Sequence, residues 1–152
     1  MVISLFNNAY IFWRDRNLGG DILPDFQELK SMVLDLGLTI KDEIPEEEML
    51  IVEDEERGIK NMVLDCEGVI LVIEQPIGRI KERHYKWFLE KNRELPFGAF
   101  ALDKENDLLV FRQTLRLDTL DIEELESTIN SLELFLAEHG DELLKILRGE
   151  DL

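Results

Sequence analysis

The sequence predicts an α+β fold, in which a five-stranded antiparallel sheet carries a long C-terminal helix on one face. The first observation is a strand pattern at residues 109–117, where apolar and polar side chains alternate. One face of this strand is therefore expected to pack in the core, and the other to be partly exposed to solvent. The second is a stripe of apolar residues at helical spacing just after it: Ile122, Leu125, Ile129, Leu132 and Leu136. Asp121 and Glu124 have the spacing of a capping box, which marks the start of this helix. We expect its stripe to lie on the apolar face of the sheet.

The predicted order of elements is α-α-β-β-β-α-β-β-α, divided into an N-terminal helical arm at residues 1–20 and a single domain at residues 21–152. In the arm, apolar residues stand at helical spacing from Val2 to Trp13, and Gly19-Gly20 forms a hinge. The arm has three interpretations: it packs on this domain or on a second copy, it lies on a membrane surface, or it docks on a partner. The first is favoured, because a membrane-surface helix would carry more lysine on its polar face.

The domain begins with a helix after Pro24, which Gly37 ends. Three strands follow at residues 49–53, 59–65 and 69–74. The connections between them are of hairpin length and end in glycine, which predicts an antiparallel meander. The third strand is apolar on both faces and is expected to be central. The C-terminal helix would cover one of its faces, and a second subunit is one candidate for the other.

A further helix is predicted at about residues 79–92, and it is followed by a short strand, a polar hairpin turn and a longer strand. Its large side chains occupy more than one stripe, which is typical of a helix that contacts two partners. We interpret it as a homodimer contact made by Ile80, Tyr85, Trp87 and Phe88, because aromatic side chains dominate the energy of buried interfaces. The alternative is that Trp87 and Phe88 complete the core of one chain while the neighbouring lysines are solvated. After a break or bend expected at Gly140, the tail either continues the last helix or folds back, and Gly149 is expected to end any helix there.

The formal net charge of −17, from 17 basic and 34 acidic side chains, argues against nucleic acid as a partner, since such a surface repels phosphate. The stretch from Arg79 to Arg93 is locally basic. Arg112 and Arg116 lie on the solvent-exposed face of the strand at residues 109–117, and they are candidates for salt bridges to a partner protein or a second subunit. Cross-strand pairing with acids of the same chain is at least as well supported.

No cofactor or metal is predicted, although the chain is rich in carboxylates. Asp103, Glu105 and Asp107 alternate like the start of a calcium-binding loop, but Leu108 stands where that loop needs glycine, and Thr114 stands where it needs its closing glutamate. A hairpin turn explains these residues better.

The residues most often used for nucleophilic or zinc chemistry are few. Cys66, the single cysteine, has no disulfide partner in the chain, and Asp65 and Glu67 oppose formation of its thiolate, so it is interpreted as a turn or small core residue. His84 and His139 fall in different predicted helices with no zinc-binding pattern nearby. The chain is therefore not expected to be an enzyme.

The segment Asn92-Arg93-Glu94-Leu95-Pro96-Phe97-Gly98, followed by a hairpin and the helix start at residues 120–125, resembles the YbjN-like proteins. These share the fold of the class I type III secretion chaperones, the Tir chaperone-like superfamily. The resemblance extends back to residues 65–72 and covers roughly the last two thirds of the chain. It implies a bacterial protein that binds other proteins, commonly as a homodimer, and it supplies no catalytic residues to carry over.

The expected function is that of a chaperone-like homodimer that binds a segment of another protein. The alternative is a YbjN-like regulator that acts in a signalling or stress response through protein contacts. A less favoured third hypothesis is an enzyme with an acid/base pair among its many carboxylates, which would need a deep pocket holding a carboxyl group of raised pKa. Residues 1–13 lack a basic start and are too short to span a bilayer, so a cytoplasmic location is expected, and membrane contact is not.

Overall fold

The computed structural model describes residues 26–103 and 105–152. The predicted arm at residues 1–20 and Pro24 lie outside this part of the chain. The helices are α1 (Phe26–Asp35), α2 (Tyr85–Lys91) and α3 (Ile122–Leu147). The strands are β1 (Thr39–Ile44), β2 (Met49–Asp54), β3 (Ile59–Glu67), β4 (Ile70–Arg79), β5 (Ala99–Asp103) and β6 (Leu108–Arg116). They form one antiparallel sheet in the order β1-β2-β3-β4-β6-β5, which confirms the α+β class and the central position of β4.

The sheet has six strands, so the prediction of five is wrong by one. The strand that was not predicted is β1, whose sequence TIKDEI has no apolar alternation and no fully buried residue. It pairs with β2 through a register shift between Ile40 and Asp42. A charged, bulged strand is what a sheet edge favours, because it discourages pairing with other chains.

One face of the sheet, which we call the helix face, carries the hydrophobic core. Leu50 on β2 lies opposite Leu64 on β3, and Leu64 lies opposite Ile73 on β4; all three side chains are fully buried. All three described helices contribute buried residues to this core: Phe26, Leu29 and Val33 from α1, Phe88 from α2, and Leu125, Ile129, Leu132, Phe135, Leu143 and Ile146 from α3. The predicted packing of the C-terminal helix on the apolar face is confirmed.

The opposite face of the sheet, which we call the outer face, mixes apolar and charged side chains. Its apolar members are Met49 and Ile51 on β2, Val63 on β3, Val72 on β4 and Val110 on β6. Its charged members include Asp65, Glu74 and Arg112.

Strand β4 continues to Arg79, five residues beyond its predicted end at Glu74, and the helix predicted from about residue 79 begins only at Tyr85. The side chain of Gln75 carries the strand pairing onward: the backbone N–H of Lys60 donates to its Oε1 at 3.0 Å, and its Nε2 donates to the Lys60 carbonyl oxygen. Pro76 lies beyond the last pair with β3, and a bulge between Pro76 and Gly78 interrupts the register with β6. A proline without an N–H is tolerated at such a place.

Helix α3 begins at the predicted capping box, where the N–H of Glu124 donates to Asp121 Oδ1 at 2.8 Å and the N–H of Asp121 donates to Glu124 Oε2 at 3.2 Å. The helix runs through Gly140 to Leu147, so no break occurs there, and the tail continues the last helix instead of folding back. A glycine costs a helix about 1 kcal/mol, whereas burying a large apolar side chain contributes roughly 2 kcal/mol, and both Leu143 and Ile146 beyond the glycine are buried. The predicted end at Gly149 is confirmed, with φ of 75° at that residue.

Candidate protein-binding surfaces

Helix α2 places a cluster of aromatic rings at the side of the core. Phe88 is buried against the ring of Phe100. Trp87 is half-buried, and its ring centroid lies 4.8 Å from that of Phe88, 6.0 Å from Phe135 and 5.9 Å from His139. We call α2, the loop at residues 92–98 and the α3 stretch at residues 131–139 the aromatic surface.

The four residues predicted for a dimer contact divide into two pairs. Ile80 and Phe88 are only 5% and 3% exposed and belong to the core of one chain. Tyr85 and Trp87 are half-buried and pack on the edge of that core. The structure therefore matches the alternative interpretation for Phe88, and only Tyr85 and Trp87 have surface to offer a second copy. Their place at a dimer interface stays a prediction.

The aromatic surface also carries exposed apolar side chains that were not predicted. Leu89 on α2 is 68% exposed, Leu134 on α3 is 51% exposed and Phe97 in the loop is 43% exposed. Between the loop and α3 lies a shallow notch, lined by Glu94, Leu95, Pro96, Ser131, Leu134, Phe135, Glu138 and His139. One signal in the sequence could have identified Leu134, since it lies off the apolar stripe of its helix.

The loop that resembles the YbjN-like proteins has a structural role. The Asn92 side chain pairs with the backbone of Phe100 as a neighbouring strand would: the Phe100 N–H donates to Asn92 Oδ1 at 2.6 Å, and Asn92 Nδ2 donates to the Phe100 carbonyl oxygen at 3.2 Å. Ser131 fastens the same loop to α3, since its hydroxyl donates to the Phe97 carbonyl oxygen at 2.7 Å and accepts from the Phe97 N–H at 3.2 Å. These bonds hold Phe97 at the surface.

The predicted partner-binding arginines both have acidic neighbours in the same chain. Arg112 on β6 lies opposite Glu74 on β4, and its Nη1 forms a salt bridge with Glu74 Oε1. Arg116 binds Asp118, two residues further on, and this hydrogen bond lowers the pKa of the Asp118 carboxyl. Cross-strand pairing thus describes Arg112, whereas Arg116 pairs within its own segment.

Two carboxyl groups of the outer face titrate far from their ordinary range. Burial raises the pKa of Asp65 to about 7, and the neighbouring Glu67 adds to the effect. Burial also raises the pKa of Glu74 to about 7, with Asp103 adding to it, although the guanidinium of Arg112 acts in the opposite direction. Neither group lines the notch on the aromatic surface. The pairing of a deep pocket with a raised carboxyl pKa, which the enzyme hypothesis needs, is therefore not found in the notch.

The candidate residues for metal and thiol chemistry have structural roles. Asp103 Oδ1 accepts from the N–H of Glu105 at 3.0 Å, and its Oδ2 accepts from Asn106 Nδ2 at 3.0 Å, which is the geometry of the predicted hairpin turn. Cys66 packs on the core, as predicted, and burial together with Glu48 raises the pKa of its thiol to about 12. Within residues 26–103 and 105–152, no three His, Cys, Asp or Glu side chains are grouped so that they could hold a metal ion. No helix in the same residues is long and apolar enough to span a bilayer.

Comparisons with known proteins identify the family of this chain. The family model CesT_Tir_1, which describes type III secretion chaperone-like proteins, matches residues 23–148. The crystal structure of YbjN from E. coli superposes with a TM-score of 0.59 at 13% sequence identity, covering 81% of this chain and 96% of that one, a likeness of fold. No curated protein sequence matches. Because the family model spans most of its residues, the chain belongs to the CesT_Tir_1 family of type III secretion chaperone-like proteins.

Proposed function

We propose that this chain is a non-enzymatic, cytoplasmic protein-binding module that acts as a homodimer and holds a segment of another protein. The observation that carries the proposal is the set of exposed apolar side chains on the aromatic surface: Leu89, Phe97 and Leu134. Large apolar side chains concentrated in one region are typical of interaction sites, whereas isolated ones are ordinary. Family membership supports the same kind of function.

The dimer contact is proposed at α2. Leu89 and the exposed part of Tyr85, one helical turn apart, would meet the same residues of a second copy across a two-fold axis, with the exposed part of Trp87 at the edge of the contact. The basic side chains of this region do not oppose the contact, because acidic neighbours balance two of their charges. Lys86 Nζ lies 3.7 Å from Glu90 Oε1, and Lys91 Nζ lies 2.9 Å from Glu94 Oε1. Ile80 and Phe88 would not contact the second copy. They would support the interface only by packing in the core and fixing the position of α2.

The bound segment is proposed to be apolar and basic. A net charge of −17 attracts basic peptides and keeps an apolar surface soluble. The segment has two modes of attachment: apolar side chains laid beside Phe97 and Leu134, or an added strand along the edge strand β5. The second mode needs only backbone groups of the partner.

A regulator with the same fold is the second candidate. It is favoured by the structural likeness to YbjN, which has been proposed to be a transcription regulator. In this chain the negative charge disfavours direct contact with phosphate, so regulation would act through protein contacts. The proteins that co-purify with the full chain from its native cell distinguish the two: a secreted protein supports the chaperone, and a signalling or transcription protein supports the regulator.

The dimer proposal is tested by sedimentation equilibrium of two variants, Leu89→Glu and Trp87→Ala. Leu89→Glu places a charge in the proposed interface and is expected to raise the dimer dissociation constant at least tenfold, which corresponds to about 1.4 kcal/mol. Leu34→Glu is the matched control, since Leu34 is a 58% exposed leucine on α1. Equal dissociation constants for the wild type and the Leu89 and Trp87 variants would contradict the proposed interface.

A further inference from the structure

We propose that the N-terminal arm, residues 1–20, packs as an amphipathic helix on the outer face of its own sheet, with its apolar stripe on the strand side chains and its arginines toward the acidic part of that face. The arm itself lies outside the described residues. The proposal does not depend on the proposed function, because it concerns the other side of the molecule from the aromatic surface.

The outer face has the composition of a surface that packs against another element. Met49, Val72 and Val110 are 7%, 5% and 6% exposed, yet they do not belong to the core cluster on the helix face. Ile51 and Val63 lie opposite each other between them and are half-buried. All three helices of the described residues contribute to the core on the other face. The described α-helices thus pack on the other face, and these side chains form an apolar surface on which a further element can pack.

The arm has the size and the reach for this site. A helix over residues 2–16 is about 22 Å long at 1.5 Å per residue. The six strands, spaced about 4.8 Å apart, span roughly 24 Å. Residues 17–25 reach up to about 30 Å, enough to pass around a sheet edge. They join the sheet at Phe26, the start of α1, which packs beside the edge strand β1.

The charges of the two surfaces are complementary. The described groups that act on Asp65 are carboxylates, namely Glu67, Glu47 and Glu74. The arm ends in Arg14-Asp15-Arg16, which brings two cations and one anion. Its stripe of Val2, Leu5, Phe6, Ala9, Tyr10 and Trp13 supplies the apolar contact.

The arm of the same chain is preferred over other occupants because it is tethered. A short flexible tether gives an effective concentration in the millimolar range. A second copy or a separate protein at micromolar concentration would need an affinity roughly a thousandfold higher to compete. A partner protein with a basic, apolar segment would have to compete with the tethered arm for binding to the outer face.

Cross-linking in the full chain tests the proposal. In a Cys66→Ser background, one cysteine is placed in the arm by Ala9→Cys and one on the outer face by Val63→Cys, and a short bifunctional maleimide is added. The control pair replaces Val63→Cys with Glu126→Cys, which lies exposed on α3 on the other side of the sheet. We expect a cross-link within one chain for the first pair and little for the control. A cross-linked dimer would show instead that a second copy's arm covers the face, and equal yields for the two pairs would overturn the proposal.

Trp13 gives a second readout that does not depend on cysteines. The chain has two tryptophans, so in Trp87→Phe the fluorescence reports on Trp13 alone. We expect blue-shifted emission that acrylamide quenches weakly, and a red shift when Leu5→Glu and Phe6→Glu are added. Ser4→Glu and Asn8→Glu, on the opposite side of the predicted helix, are the matched control and should leave the emission unchanged. Emission typical of a fully solvated tryptophan before any change to the stripe would overturn the proposal.

Discussion

Replacing Asp65 by asparagine is expected to stabilise the fold, and increasingly so as the pH rises from about 5 to about 8. The pKa of Asp65 is raised from 3.8 to about 7 in the folded chain, mainly by burial. The folded state therefore holds this proton more tightly than the unfolded state does. The favourable contribution is fully present at low pH and is lost as the pH rises through 7, so at neutral pH the ionised group is a cost to the wild type.

The magnitude follows from the size of the shift. About three pKa units at 1.36 kcal/mol each set an upper limit of roughly 4 kcal/mol. Asp65 is only half-buried and its titration is linked to Glu67, so we expect a smaller gain, about 1–2 kcal/mol between pH 5 and pH 8. Asparagine keeps the shape of the side chain and removes the charge, so packing should change little.

The assay is urea unfolding of the wild type and Asp65→Asn at about pH 5 and about pH 8, with the difference in unfolding free energy compared between the two. Glu126→Gln is the matched control, because Glu126 is exposed on α3. The difference in unfolding free energy between Glu126→Gln and the wild type should be the same at both pH values. A pH-independent difference for Asp65→Asn, or a loss of stability at the higher pH, would refute the assignment of a buried, unfavourably ionised carboxylate.

Two further predictions concern Gly98 and Asn92 in the loop between α2 and β5, with Gly140 in α3 as a comparison for the first. Gly98→Ala is expected to cost at least about 2 kcal/mol in thermal or urea unfolding, because Gly98 has φ of 76° and an added Cβ would collide with the ring of Phe111. At Gly140 no atom lies within 4 Å of an added Cβ, so Gly140→Ala should instead stabilise the helix by about 1 kcal/mol. A change of the unfolding free energy in the same direction for both variants would contradict this structure. Asn92→Ala should cost about 1–2 kcal/mol and speed hydrogen exchange at the Phe100 amide, whose acceptor is lost; unchanged exchange would contradict the bond.

The parts of the fold that were predictable from sequence are those with a strong local pattern. The capping box at Asp121, the stripe of α3 and the alternation of β6 all predict elements that the structure contains. Strand β1 was missed because an edge strand has no need of apolar alternation. Strand β4 was ended too early, because Gln75 replaces backbone pairing with a side-chain interaction that a sequence pattern does not show. At Gly140, the burial of side chains further along the helix outweighs the local tendency of glycine to end it.

The candidate site was predicted only in part, for a similar reason. The aromatic residues of α2 are conspicuous in sequence, but which of them face inward depends on how the helix is rotated against the core. Phe88 points into the core and Leu89 away from it, and only the packed structure separates them. The cross-strand pair of Arg112 and Glu74 depends likewise on the register of β4 with β6, which the sequence does not fix.

The mass of the full chain in solution at micromolar concentration tests the central claim most directly. Sedimentation equilibrium of the wild type should fit a reversible dimer, and Leu89→Glu should shift it toward the monomer while Leu34→Glu does not. A wild type that stays a monomer throughout the micromolar range would contradict the account.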